Sequence, residues 1–272
     1  MEEERVIHSA KKNVCGILVD EIDYEGAIEY VMRAAKEGRP ASISALAVHG
    51  LMTGALDKEH KHRLNNLDVV LPDGQPVRWA LNLLHKSPLR DRCYGPNLTL
   101  YLCERAAKDG VSVFLYGATP AILEAMQINL RKRFPALIIA GAETSKFRRL
   151  TPQEKIETAE RIRNSGARMV FVGLGCPRQE VFVYEMRDLL PMPALAVGAA
   201  FPFIAGEVRQ APRWIQDMGM EWFFRLCMEP RRLWRRYVYL NPAYITFVTL
   251  QLLGLRSFDT NGVSPRSELL YG

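Results

Sequence analysis

Five stretches of the chain are apolar almost throughout, have the length of a strand, and run into glycine or another turn-forming residue: ASISALAVHG (41–50), DVVLPDG (68–74), VSVFLYGAT (111–119), ARMVFVGLG (167–175) and ALAVGAAF (194–201). Unbroken apolar runs suit strands covered on both faces, whereas a half-exposed strand alternates. Helical patterns lie between them. After VSVFLYG, Thr119 is placed to cap a helix and Pro120 to open it, and Leu123, Met126, Leu130 and Phe134 then recur at helical spacing. Gln153 to Arg163 reads as another helix, ahead of the strand at ARMVFVGLG. Strand alternating with helix predicts an α/β fold, Rossmann-like, with a largely parallel sheet and flanking helices.

The segment DVVLPDGQPVRWALNLL (68–84) tests that reading. Pro72-Asp73-Gly74 has the composition of a reverse turn. A hairpin would be followed by alternation, but Pro76 is placed to start a helix, and Val77, Leu81 and Leu84 follow at spacings of four and three. Asp73 therefore falls at a strand-to-helix junction. In open α/β sheets ligands bind outside the carboxyl ends of the strands, so Asp73 is either a turn residue or a carboxylate placed for chemistry.

From Arg209 onward the pattern changes. Trp214, Trp222, Trp234, Phe223, Phe224, Tyr237 and Tyr239 are interleaved with Arg213, Arg225, Arg231, Arg232, Arg235 and Arg236, and an apolar run from Ala243 to Leu255 follows Asn241-Pro242. That run is shorter than the ~20 residues a membrane-spanning helix needs. The predicted organisation is an α/β core over 1–208, a helical appendage over 209–256 and a disordered tail over 257–272. The excess of 36 Lys and Arg over 30 Asp and Glu is concentrated in the appendage. Such a segment has three readings: ordinary core, a nucleic-acid surface with Arg on phosphates and aromatics on bases, or a helix pair lying on an anionic membrane. The cluster of Trp with Arg and the apolar run behind it favour the membrane.

Five scattered cysteines without a CxxC pair indicate neither a disulfide framework nor a zinc site, and MEEERVIHSAKKNV has no apolar core of a signal peptide. A reducing cytoplasm is the expected compartment. No DxD and no HExxH occurs, and the five histidines form no ligand set, His60-Lys61-His62 reading as a solvated polar stretch. No metal and no organic cofactor is expected. A diphosphate leaving group would then be met by arginine, whose planar fork binds phosphate oxygens in pairs.

Two junctions have the small residues that let a backbone approach a ligand. Gly173-Leu174-Gly175-Cys176-Pro177-Arg178-Gln179-Glu180 places Arg178 and Gln179 where a nucleotide would sit, and Tyr116-Gly117-Ala118-Thr119-Pro120 repeats the design with a capped helix. Both read equally as plain βα turns. The first has Arg178 where a dinucleotide fingerprint requires its third glycine, which disfavours a dehydrogenase. Ser44 and His49, assigned to the end of the first apolar run, are placed to share a site with Asp73.

Three segments together, LPDGQPVRWA, VFVGLGCPRQE with AVGAAFPFIAGEVRQAP, and GMEWFFRLCMEPRRLWRRYVYLNP, resemble the bacterial WecG/TagA/CpsF glycosyltransferases of family 26, and within it the exopolysaccharide branch that includes the xanthan-type GumM glucosyltransferase. The resemblance runs from about Ile43 to Tyr244. It implies a metal-independent, inverting transfer of a sugar from a UDP-sugar to a saccharide on a polyprenyl diphosphate, at the anionic inner face of the cytoplasmic membrane. Glucose is the sugar suggested by that branch, with N-acetylmannosamine or its uronic acid as the alternative. The resemblance puts the general base at Asp73, the donor contact at Gln179, and the cations facing UDP among Arg213, Arg225, Arg231, Arg232, Arg235 and Arg236. Where many relatives have Thr-x-Asn after the first strand, this chain has Ala45 and Ala47, and His49 is the second candidate for the base. No nucleic acid is expected as a partner; a basic nucleic-acid or membrane-surface binding module is the alternative of another class.

Overall fold

The computed structural model describes residues 10–272, the side chains of Arg232 and Arg236 excepted. The chain opens with an antiparallel hairpin, β1 (Lys11–Val14) and β2 (Ile17–Asp20), turned by Cys15 and Gly16 with φ of 55° and 89°. Two successive positive φ values match the right-handed twist of a tight hairpin. Helix α1 (Tyr24–Glu37) is capped by Asp23 at its start and by left-handed Gly38 at its end.

Strands and helices then alternate: β3 (Ala41–Leu46), α2 (Val48–Leu56), α3 (Lys58–Asn65), β4 (Val69–Pro72), α4 (Gln75–His85), α5 (Gly95–Asp109), β5 (Val113–Gly117), α6 (Pro120–Arg133), β6 (Ile139–Glu143), α7 (Pro152–Asn164), β7 (Met169–Gly173), α8 (Arg178–Met186), β8 (Pro193–Ala196) and α9 (Ala200–Ala205). The six strands β3 to β8 form one sheet in the order β4-β3-β8-β7-β5-β6, parallel throughout. The α/β, Rossmann-like expectation holds. All five apolar runs supply strands, and the sixth, half-buried edge strand β6 lies in a further apolar run, ALIIAGA (136–142), that those five do not include. The run 41–50 is shorter as a strand than its hydrophobicity suggests: it ends at Leu46, and His49 lies in the first turn of α2.

One core lies on the sheet face carrying α2, α4, α7 and α8, with Leu51, Leu81, Ile162 and Phe182 among its members. The other lies beneath α1, α5, α6 and α9, with Val31, Leu102, Met126 and Phe201. At the β5–β7 rim, Gly117 and Gly173 face each other in register, and a Cβ on Gly117 (φ 121°) would stand 2.8 Å from the Gly173 carbonyl. Glycine is demanded there by strand packing.

Three helices follow the α/β elements: α10 (Arg213–Asp217), α11 (Glu221–Met228) and α12 (Pro230–Leu252). Asn241-Pro242, a pair that commonly interrupts a helix, does not do so here, and α12 is continuous through Pro242. Its inner face explains this, since Leu240, Tyr244, Phe247 and Val248 pack on the first core and outweigh the hydrogen bond that proline removes. The tail also differs from expectation. Residues 257–272 form a strap over α3 and α8: Asn65 Nδ2 donates to the Thr260 carbonyl at 2.7 Å, Val263 N–H to the Lys58 carbonyl at 3.0 Å, and the Leu269 and Leu270 N–H groups to the Glu185 carboxylate at 2.7 and 3.0 Å. Order in the strap comes from backbone groups meeting fixed partners, which its polar composition does not disclose.

Candidate active site

Helix α2 leaves β3 onto one face of the sheet and α9 leaves β8 onto the other, so a crevice opens between the carboxyl ends of these neighbouring strands. A cavity of about 420 Å3 lies at this end of the sheet. Its floor is made by Ala47, Val48 and His49 after β3 and by Asp73, Gly74 and Gln75 after β4, and Arg92 and Tyr94 enter from the loop before α5. The appendage forms the opposite wall with Glu221, Trp222 and Arg225 of α11 and Tyr237, Asn241 and Tyr244 of α12. Two further contacts hold the appendage down. Gly219 (φ 69°) lies flat against Trp79, whose ring a Cβ would meet at 2.4 Å, and Tyr244 Oη donates to the Pro76 carbonyl at 2.9 Å.

Asp73 is half-buried, and its Oδ1 accepts the Gly95 N–H at 3.1 Å, at the first residue of α5. Burial pushes its carboxyl up to about 6, with Glu221 adding to the rise, while Arg92, the Gly95 N–H and Arg225 oppose it. A carboxylate so tuned is ionised at neutral pH yet basic enough to take a hydroxyl proton. His49 lines the same cavity.

The other predicted site residues are distributed unevenly. Of the appendage arginines, Arg225 lines the cavity; Arg213, Arg231 and Arg235 are exposed and do not, Arg235 lying over Trp234 instead. The side chains of Arg232 and Arg236 lie outside the described residues. Ser44 does not reach the site: it is fully buried in β3 on the α8 side, where its hydroxyl donates to Glu180 Oε1 at 3.4 Å. Gln179 is also buried, its Oε1 accepting the Gly175 N–H at 3.2 Å and its Nε2 donating to Glu180 Oε1 at 2.9 Å, so its amide fixes the loop that contains it. Gly175 is exposed, Arg178 is exposed beside the Tyr271 ring, and Thr119 caps α6 by accepting the Ile122 N–H. Gly117, Thr119, Gly173, Gly175 and Arg178 belong to the neighbouring part of the rim, after β5 and β7, and do not line the cavity.

A family model for the glycosyl transferase WecG/TagA/CpsF family matches residues 12–257. The chain belongs to this family. The transferase is also 34% identical over 186 residues to an N-acetylglucosaminyldiphosphoundecaprenol N-acetyl-beta-D-mannosaminyltransferase of Bacillus spizizenii, an alignment covering 68% of this chain and 69% of the relative. Among the described residues of the transferase, no helix is long and apolar enough to cross a membrane, and no group of three or more His, Cys, Asp or Glu side chains is arranged to hold a metal ion.

Sequence reasoning missed part of the transferase's site. Arg92, Tyr94 and Glu221 are buried and line the cavity, with Arg92 Nη2 donating to Glu221 Oε2 at 2.6 Å and to Gln216 Oε1 at 3.0 Å, and Tyr94 Oη donating to Glu221 Oε1 at 2.8 Å. The guanidinium also sits 4.2 Å from the centre of the Tyr94 ring. The signal available was DRCYGPN (91–97), a charged and aromatic loop ahead of a helix, which loops carrying function often are.

Proposed function

We propose that the chain transfers N-acetylmannosamine from its UDP-sugar to an N-acetylglucosaminyl diphosphate on a polyprenyl lipid, with inversion, at the inner face of the cytoplasmic membrane. The observation that carries this reading is the convergence of Asp73, Arg92 and Arg225 in one cavity beneath the appendage. The relative's N-acetylmannosaminyl transfer favours that sugar over glucose.

In this reading the acceptor hydroxyl donates its proton to Asp73 as its oxygen attacks the anomeric carbon. The bond to UDP breaks on the opposite face, which inverts the centre and agrees with the β-linked product in the relative's name. Arg92 and Arg225 meet the growing negative charge of the diphosphate where water is scarce, and fixed charge acts most strongly in such a place. Trp79, Leu83, Trp222, Ile245 and Val248 give the cavity a largely apolar wall suited to the first isoprene units of the acceptor. Trp214, Phe223, Trp234, Tyr239 and Leu253, exposed beside Arg213, Arg231 and Arg235, support docking of the appendage on an anionic bilayer.

The test is a panel of radiolabelled UDP-sugars with an N-acetylglucosaminyl diphospholipid acceptor. UDP-N-acetylmannosamine is expected to outpace UDP-glucose, and Asp73→Asn to lose roughly 100-fold or more in kcat, the span typical of a removed general base. Preferred transfer of glucose overturns the donor assignment, and substantial turnover by Asp73→Asn removes Asp73 from the base role.

A further inference from the structure

The appendage meets the cavity through a buried ion pair whose position is unusual. Glu221 is the first residue of α11, only 8% exposed, and both its carboxylate oxygens are engaged by the loop before α5, one by Arg92 and one by Tyr94. Removing two charges from water is costly, and an apolar pair would close the same seam at less expense. A carboxylate does what an apolar side chain does not: it fixes the plane and place of a guanidinium. Both side-chain hydrogen bonds of Arg92 use Nη2, so three of its five N–H groups are left for an anionic ligand. Arg92 and Tyr94 flank Cys93 in a loop that ends at Gly95, the residue whose N–H is bound to Asp73.

We propose that Glu221 is a positioning residue of the transfer reaction: from the appendage it holds Arg92 and Tyr94 in place beside Asp73, so that the core's own diphosphate-binding cation is assembled only when the appendage is docked. This rests on the glycosyl-transfer reading above. It makes the appendage a switch for a core arginine as well as a supplier of Arg225.

The charge of Glu221 is felt at the base. The groups facing Asp73 are Arg92, Cys93 and Tyr94 from the loop, Glu221 and Arg225 from α11, Tyr24 from α1 and His49 from α2. Burial is the main cause of the raised Asp73 carboxyl, and among these groups Glu221 raises it further while the two arginines lower it. Neutralising Glu221 removes its own rise, but releasing Arg92 removes the larger opposing effect, so displacement of Arg92 moves the ionisation of Asp73 to higher pH.

The experiment compares the full-length wild-type chain with Glu221→Gln, Glu221→Asp and Asp73→Asn, using UDP-N-acetylmannosamine and an N-acetylglucosaminyl diphospholipid, with kcat, KM and the pH dependence of kcat/KM recorded for each. Glu221→Gln preserves shape and removes charge. It is expected to lower kcat by about tenfold or more with donor KM little changed, the mark of an interaction made mainly in the transition state, and, by releasing Arg92, to shift the acid limb of kcat/KM to higher pH. Glu221→Asp keeps the charge and is expected to keep the wild-type acid limb, which also guards against a misfolded Glu221→Gln. If Asp73→Asn is inactive while Glu221→Gln shows the wild-type kcat and acid limb, the positioning role is overturned and the transfer reading stands. If Asp73→Asn turns over normally, Asp73 loses the base role and the positioning role built beside it is overturned, while sugar transfer stands; if the wild type transfers no sugar to the lipid, both readings are overturned.

Discussion

In the reading proposed above, Asp73 takes its proton in a cavity whose walls are mostly carbon, and burial there sets the pH range in which it can do so. With its carboxyl pushed up to about 6, chiefly by burial, the base form is lost as pH falls through that value. The expected kcat/KM therefore rises about tenfold per pH unit below about 6 and levels above it; a profile flat down to pH 4.5 would assign the base elsewhere, with His49 as the neighbour to test. His60 gives a second, independent case. It was read from sequence as part of a solvated stretch, but it is 3% exposed, and burial lowers its imidazolium from 6.5 to about 4. Between those values the unfolded chain binds a proton that the folded chain refuses, so stability present above pH 6.5 is lost as pH falls towards 4. His60→Gln is expected to flatten that fall, by up to about 1.4 kcal/mol per pH unit within the window, in urea unfolding at pH 7.5 and pH 5. The two aspects of legibility differ here. Asp73 was readable because a turn tripeptide is followed by helical spacing, whereas Arg92 and Glu221 stand 129 residues apart and meet only after the appendage folds back.

At the scale of elements, hydrophobic pattern located what is buried on both faces and little else. Strands β3, β4, β5, β7 and β8, the capped start of α6 and the body of α7 were visible, the start of α6 because Thr119 accepts a first-turn N–H ahead of Pro120; the Thr151 cap of α7 lies ahead of the residues read as its helix. The hairpin β1–β2 and edge strand β6 carry short apolar runs of their own, VCGILV (14–19) and ALIIAGA (136–142), that were legible but not read as strands, and the strap has a loop's composition. Yet the strap covers Arg63, which is 2% exposed and donates to the Ser267 carbonyl, and it supplies both N–H donors to Glu185. Deleting residues 257–272 uncovers these groups. Hydrogen bonds to charged groups contribute ~1.5–3 kcal/mol each, so with water partly replacing them the deletion is expected to cost on the order of 2–4 kcal/mol. Equilibrium urea unfolding measures this, and an unchanged midpoint would mean the strap lies on the core without stabilising it.

For the whole molecule the question is where the appendage's outer surface goes. Its inner face is accounted for by Tyr244 on Pro76, Gly219 on Trp79 and Glu221 on Arg92, and these contacts orient the outer face away from the sheet. On that outer side Trp214 is 64% exposed, Tyr239 68% and Leu255 71%, and exposed apolar groups clustered on one segment mark an interaction surface. The surrounding arginines belong to a chain of net charge +6. Indole and phenol rings settle at headgroup level, and each arginine near an anionic leaflet contributes about 1 kcal/mol that salt weakens. The transferase is therefore expected to sediment with phosphatidylglycerol-containing vesicles and to be released as salt rises from 0.05 to about 0.5 M, where the screening length has fallen below the span of the basic patch. Trp214→Ala combined with Trp234→Ala should weaken that binding at every salt concentration, because the apolar share is unscreened, while leaving turnover on a short-chain, water-soluble acceptor within about twofold, since neither indole lines the cavity. Loss of turnover on the soluble acceptor would instead place these rings in the fold of the site. Equal binding to neutral and anionic vesicles would remove the arginines from membrane docking and leave their charge to be explained by the substrate alone.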